Sequence, residues 1–327
     1  MNITQLPKAE LHVHLEGSAP PSLVRRLADR NGIILPDSLF ANEHEFAWNG
    51  FLEFLAAYEA ASQCIRKPED YYDITYEYLR DCAKEGAIYV EMMYSSEHAE
   101  RASGLPSHEH LLAIGDAIDH ARRDHAIEGR IIMTCVRHYG PESTVKVAQH
   151  AISEKFDWIV GFGMGGDEGN FPPRLFKEAY DIAHAAGLAC TAHAGEICGP
   201  DSIREAIDTL HITRIGHGVR AVESPELMEE IRKRNITLEL CPLSNIALNV
   251  YPSIEEHPIR KIVDAGVRVT LSSDDPPYFR TTIGKEYQVA RDVFGYNDNE
   301  LIQFTKNAID ASFASNSTKQ ALLARIK

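Results

Sequence analysis

Short runs of β-branched and apolar residues recur along this chain. Each is followed by a polar or glycine-bearing loop and then by an amphipathic stretch of about 10 to 15 residues. Eight such runs carry the strand pattern: residues 9–15, 88–94, 130–137, 158–164, 188–193, 214–217, 237–241 and 267–272. Helical spacing predicts helices between them, among others over 172–186, 201–210, 224–235 and 258–265, several stopped by Gly or Asn. Strand and helix in strict alternation imply βα units and a parallel sheet. Eight units in about 250 residues predict an α/β fold of the (β/α)8 TIM-barrel type. An open doubly wound sheet is the other arrangement that such a pattern supports.

Two segments exceed a minimal barrel. Residues 35–85 read as helices inserted after the first strand, with Phe51, Leu52, Phe54, Leu55 and Tyr58 at helical spacing. An insertion in a βα loop lies over the catalytic mouth, so a lid is one reading; a segment merely packed on the barrel would show the same stripe. Residues 297–327 add a helical tail. No Pro/Gly/Ser-rich linker or repeat interrupts the chain, so residues 1–327 are expected to form one domain.

Charge narrows the partners. Lys plus Arg number 33 against 48 for Asp plus Glu, a net charge of −15 that repels nucleic acid and anionic lipid. No apolar run approaches the ~20 residues of a membrane span, and residues 1–8 lack the basic-then-apolar pattern of a secretory signal. A cytoplasmic protein is expected. The six cysteines are dispersed without a C-x-x-C pair, which predicts buried reduced thiols and excludes the small zinc-deaminase signature.

The histidines carry more. The first strand ends Leu11-His12-Val13-His14-Leu15-Glu16-Gly17, and residues i and i+2 of a strand share a face, so His12 and His14 can converge on one ion. A second His-x-His, His108 and His110, opens a helical pattern in which i and i+2 diverge by about 200°; it reads as a solvated helix start. Context separates the pairs. Later strands end in Thr191-Ala192-His193-Ala194-Gly195-Glu196, Ile215-Gly216-His217-Gly218 and Ser272-Ser273-Asp274-Asp275-Pro276, and polar residues at the carboxyl ends of barrel strands meet in one mouth. Three imidazoles and a carboxylate suit Zn²⁺, which assigns His12, His14, His193 and Asp274 as ligands with a position left for water. The ion lowers the pKa of that water toward ~7. Glu196, three residues past a ligand, can act as general acid or else hydrogen-bond a ligand histidine. His217 and Asp275 flank the attacking oxygen, or serve as structural hydrogen-bond partners. At the fourth strand end, Met164-Gly165-Gly166-Asp167-Glu168 lets a flat ligand approach the backbone, though a tight turn would use the same glycines. No lysine stands there to bridge two metals, so one metal per chain is expected.

Together these motifs resemble the adenosine deaminase family of the amidohydrolase superfamily, from Pro7-Lys8-Ala9-Glu10-Leu11-His12-Val13-His14 through His193-Ala194-Gly195-Glu196 and His217-Gly218-Val219 to Ser273-Asp274-Asp275-Pro276. The resemblance implies a barrel with one Zn²⁺ on His12, His14, His193 and Asp274. It implies that Glu196 protonates the purine ring nitrogen beside the reacting carbon, that His217 assists the water, and that His14, Glu16, Gly166 and Asp275 meet the substrate. One position departs from the family pattern. Adenosine deaminases commonly carry Asp two residues beyond the second histidine, on the ribose 5′-hydroxyl, and here that residue is Glu16. Glutamate there is typical of relatives that deaminate free adenine or aminodeoxyfutalosine. The Gly166-Asp167-Glu168 run and residues 282–288 are more similar to the nucleoside enzymes. The expected partner is therefore a small 6-aminopurine nucleoside, with adenosine or deoxyadenosine converted to its 6-oxo product and ammonia; adenine or aminodeoxyfutalosine is the alternative. A two-metal phosphoesterase and a catalytically silent barrel are the competing classes.

Overall fold

The computed structural model describes residues 2–326; Met1 and Lys327, the outer limits of the span, the N-terminal reading and the helical tail, lie outside it. Eight parallel strands follow one another in chain order: β1 (Lys8–His14), β2 (Ala87–Tyr94), β3 (Glu128–Val136), β4 (Ile159–Gly165), β5 (Ala189–Ala194), β6 (Arg214–His217), β7 (Thr237–Leu240) and β8 (Arg268–Leu271). Each expected strand end lies within two residues of the observed one. The strands are buried on both faces, as a helix-covered parallel sheet requires, and β2 is buried along its whole length.

The sheet closes on itself. Val13 bridges Asp274 just past β8, where the Asp274 N–H donates to the His12 carbonyl at 3.1 Å and the His14 N–H to the Asp274 carbonyl at 3.0 Å. Lower down, the Leu11 N–H donates to Ser272 Oγ at 3.3 Å. This closure removes the doubly wound alternative, whose strand order reverses within an open sheet.

Charges cross the barrel interior. Arg214 on β6 reaches Glu91 on β2, with Nη1 to Oε2 at 2.5 Å, and its Nε lies 2.6 Å from Glu239 Oε1 on β7. Strands β2 and β6 are not neighbours, so this contact spans the lumen. The Glu91 carboxylate also accepts from the Tyr89 hydroxyl and the Phe313 N–H, each at 2.6 Å. The Phe313 ring lies 3.6 Å from the Arg214 guanidinium carbon, which is cation–π range. Gly161 on β4 makes room for that ring, since a Cβ there would lie 2.5 Å from it. The tail after the helix Asp298–Ala311 therefore plugs the barrel floor.

The insertion divides differently from the expected 35–85 span. A helix Pro21–Asn31, started by Pro21 and ended by left-handed Gly32, precedes it and escaped the sequence reading. The helix Pro68–Lys84 packs beside the helix Ser107–His125 on the outer wall, leaving the helix Phe51–Ser62 over the mouth. Leu52, expected on its apolar face, is 80% exposed, whereas Phe54 is buried. The His108–His110 reading also changes: His108 faces solvent, but His110 is buried, 3.2 Å from the Tyr94 hydroxyl and against the Tyr71 ring. The same divergence that separates i and i+2 on a helix turned one ring out and the other in. Five cysteines are buried free thiols and Cys198 is partly exposed. Among the described residues no helix is long and apolar enough to cross a membrane.

Truncating Arg214 tests the lumen network. Arg214→Leu leaves Glu91 and Glu239 as unpaired buried carboxylates, and breaking such a pair costs about 3–5 kcal/mol. Urea denaturation is expected to report that loss; a variant as stable as the parent would show that the network contributes nothing to folding.

Candidate functional site

Strand alternation on β1 turns His12 and His14 into the lumen near its carboxyl end, and β5 brings His193 beside them. The His14 and His193 Nε2 atoms are 3.2 Å apart. Asp274 follows β8 with φ of 66°, a left-handed backbone that costs a non-glycine residue about 1–3 kcal/mol and is held here by the bridge to β1. Its Oδ1 lies 3.4 Å from His14 Nε2 and 3.6 Å from His12 Nε2, while its Oδ2 accepts from Ser244 Oγ at 2.7 Å. Gly216 on β6 is required by this packing, since a Cβ there would lie 2.5 Å from His12 Cε1.

The donor set fits a metal ion. His12 Nδ1 meets Glu239 Oε2 at 2.9 Å and His193 Nδ1 meets the Met164 carbonyl at 2.8 Å. Both partners are acceptors, so each Nδ1 carries its proton and each Nε2 turns a lone pair to the centre. His12 Nε2 is buried with no hydrogen-bond partner. Lone pairs facing one another at these distances repel unless a cation lies between them. One donor atom each from His12, His14, His193 and Asp274 lies within 4.8 Å of the others. Burial, followed by the neighbouring His217, holds His14 down to about 4, and burial holds His12 and His193 well below the ordinary imidazole value. All three are neutral, the form that ligates. A second set, His217, Cys241 and Asp274, shares Asp274; burial pushes the Cys241 thiol well up, against the thiolate that a metal needs.

Around this centre stand the other expected residues. Glu196 Oε2 is 3.6 Å from His217 Nε2, and His217 Nε2 is 3.8 Å from Asp274 Oδ2. Burial, with the Glu168 charge adding to it, raises Glu196 to about 8, which favours its protonated form. Asp275 is pushed well up by burial and then by Asp274 and Glu196, and its Oδ1 is buried without a partner. Gly166 adopts φ of 98°, and a Cβ there would lie 2.8 Å from His138 Nδ1.

His14, Gly166, His193, Glu196, His217, Asp274 and Asp275 all line one cavity of about 370 Å³. Phe51, Phe54, Leu55 and Tyr58 of the inserted helix form its apolar cover. Glu16 does not line it. This residue is 2% exposed, its Oε1 receiving the Tyr71 hydroxyl at 3.5 Å and the Ser95 N–H at 3.4 Å, and burial raises it to about 7. Residues 282–288 are also elsewhere: Thr282 caps the helix Ile283–Asp292 and bonds Glu85. Sequence reading missed Glu239, Arg214 and Asn245, which lies 3.4 Å from His217 Nδ1. The available signal was a charged residue inside an apolar strand, as in Thr237-Leu238-Glu239-Leu240.

The adenosine deaminase family model matches residues 7–327. An adenine deaminase of Agrobacterium fabrum is 42% identical over 323 residues, spanning 99% of this chain and 98% of that protein. Among solved structures, an adenine deaminase from Arthrobacter aurescens superposes with a TM-score of 0.91 at 29% identity, covering 98% of each chain. An amidohydrolase from Burkholderia ambifaria with bound Zn gives 0.89 at 30% identity, covering 99% of this chain and 90% of that one.

Glu239 offers a test of the centre. Glu239→Gln weakens the acceptor that fixes the His12 tautomer, and loss of such a supporting group typically costs 10–100-fold in metal affinity. Chelator competition should report a drop in that range; unchanged affinity would remove Glu239 from the metal argument.

Proposed function

The chain belongs to the adenosine deaminase family, and we propose that within it this protein hydrolyses the 6-amino group of free adenine, releasing ammonia and the 6-oxopurine. Purine deamination follows from the family; the choice of base over nucleoside rests on Glu16. A carboxylate that serves a ribose hydroxyl must reach the cavity. Glu16 is absent from the cavity lining, its Oε1 lying 3.5 Å from the Tyr71 hydroxyl and 3.4 Å from the N–H of the lining residue Ser95, with its Oε2 buried without a partner. The two features that favoured adenosine lose their weight as well. Glu168 bonds the protein's own backbone, and residues 282–288 lie away from the cavity. Relatives named adenine deaminase, similar over nearly the whole chain, support the same choice.

In this reading residues 1–327 form one catalytic unit, with His12, His14, His193 and Asp274 holding one Zn²⁺. A Zn²⁺ held there would supply Lewis-acid activation of water near neutral pH. His217 and Asp275 orient the attacking oxygen by hydrogen bonds. Attack on the amine-bearing carbon costs the ring its aromaticity, so Glu196 gives its proton to the adjacent ring nitrogen as the new C–O bond forms. The new hydroxyl then passes its proton to the amine, the C–N bond breaks as the C=O bond forms, and ammonia leaves the 6-oxopurine. Gly166 offers the purine an open backbone edge, and Phe51, Phe54 and Tyr58 exclude water, which strengthens every charge interaction beneath them.

Ammonia release from adenine, adenosine and aminodeoxyfutalosine assayed in parallel decides the substrate. Adenine is expected to lead in kcat/KM by about 100-fold or more, the margin expected when a site built for one partner must take another; adenosine in the lead would overturn the assignment. Glu196→Gln is expected to keep its zinc and lose most of kcat. The protonated Glu196 is the active form, so kcat/KM is expected to fall as pH rises through its pKa, about 8 in the metal-free protein and lower beside a cation. A flat alkaline profile would assign the proton to another group.

A further inference from the structure

The buried carboxylate of Glu168 gathers an entire loop. Its Oε1 accepts from the Gly195 N–H at 2.6 Å and from Ser202 Oγ at 2.7 Å. Its Oε2 accepts from the backbone N–H groups of Glu196 at 3.2 Å, Ile197 at 3.0 Å and Cys198 at 3.1 Å. Four consecutive amides and one hydroxyl therefore converge on one side chain that is 4% exposed. Successive N–H groups curled in this way form an anion-binding nest. Here the anion is the protein's own, brought from the end of β4 to the loop that joins β5 to the helix Pro200–Leu210.

That loop carries Glu196, whose side chain faces the cavity while its N–H is held by Glu168. A tight turn alone would not need a charged acceptor. We propose that Glu168 is a positioning residue for deamination, fixing the Glu196 carboxyl over the substrate by immobilising residues 195–198. The inference rests on Glu196 being the proton donor. Arg137 steadies the same region by donating from Nη2 to the His193 carbonyl at 2.6 Å. Although burial opposes it, the bonds from Ser202 and from the Gly195, Cys198 and Ile197 amides hold Glu168 below the ordinary carboxylate value. Its charge in turn favours retention of the proton on Glu196.

Glu168→Gln replaces one acceptor oxygen by an N–H that points at N–H donors. In the zinc-loaded variant, kcat for adenine is expected to fall about 100-fold, as for a small misplacement of a catalytic group, with KM changed less than about threefold. Zinc content should be unchanged, and amide hydrogen exchange at residues 195–198 should accelerate by about tenfold or more while β5 stays protected. Glu168→Asp, which keeps the charge, should recover part of the rate. A folded, zinc-loaded Glu168→Gln with kcat within about twofold of the parent, or with those amides still protected, would overturn the proposal. If both Glu168 variants fail to fold, Ser202→Ala decides: faster exchange at 195–198 with lowered kcat supports it, and no change in either overturns it. Near-normal turnover by Glu196→Gln would instead sink the proton-donor reading, while the exchange result would still report whether Glu168 anchors the loop.

Discussion

The contact between His12 Nδ1 and Glu239 Oε2 sets the terms for the rest of the centre. An imidazole on a barrel strand has two nitrogens, and only a committed acceptor behind one of them aims the other at the ligand position with its lone pair bare. Glu239 is itself buried, so its charge needs the Arg214 guanidinium, which in turn needs Glu91. The chain of charges ends at the Phe313 N–H and ring, where the C-terminal tail closes the floor. Removal of Arg214 strands two carboxylates in a medium that does not solvate them. Catalytic mouth and barrel floor are therefore one electrostatic structure, although they lie at opposite ends of the strands.

At the mouth the same low polarity acts on carboxyl groups. Glu196, Asp274 and Asp275 crowd together, and burial raises all three, with Asp274 at about 6. Crowded acids separate into different protonation states because like charges at short range cannot all persist. A cation at the histidine centre would favour ionisation of its own ligand, Asp274, most directly. Glu168 then biases Glu196 the other way. In the proposed roles, an acid and a ligand made from the same functional group are distinguished by which charge stands behind each.

Strain is spent at the same place. Asp274 and His217 both adopt left-handed backbone conformations, and both follow or end a strand whose hydrogen bonds hold them there. The inserted helix Phe51–Ser62 contributes cover, with Phe54 packed on Trp48, Tyr278 and Phe279 just beyond the Asp274-Asp275 segment. That packing ties the inserted helix to the segment after β8. Glu16 meets the lining residue Ser95 in this region without lining the cavity itself.

Most strand positions were legible because a doubly buried parallel strand tends to a near-continuous apolar run, although β1 alternates with polar residues and Glu91, Arg214 and Glu239 interrupt others. His12, His14, His193 and Asp274 were legible because strand alternation and the common direction of parallel strands are local rules that send their ends to one mouth. Helix boundaries in the insertion were less so: the stripe holding Phe51 and Phe54 records burial but not the partner, and Leu52 was misplaced for that reason. The His110 ring likewise found its burial against Tyr71, a residue on another helix. Glu16 shows the limit most directly. The sequence by itself determined that a glutamate stands where the family often has aspartate, but only the tertiary structure decided that it is buried outside the cavity lining. Which way a side chain turns depends on the donors that meet it, here Tyr71 and Ser95, and these come from segments far away in the chain. The same holds for Glu239, Arg214 and Glu168: local sequence specifies what each residue can bond, and the closure of the barrel specifies what it does bond.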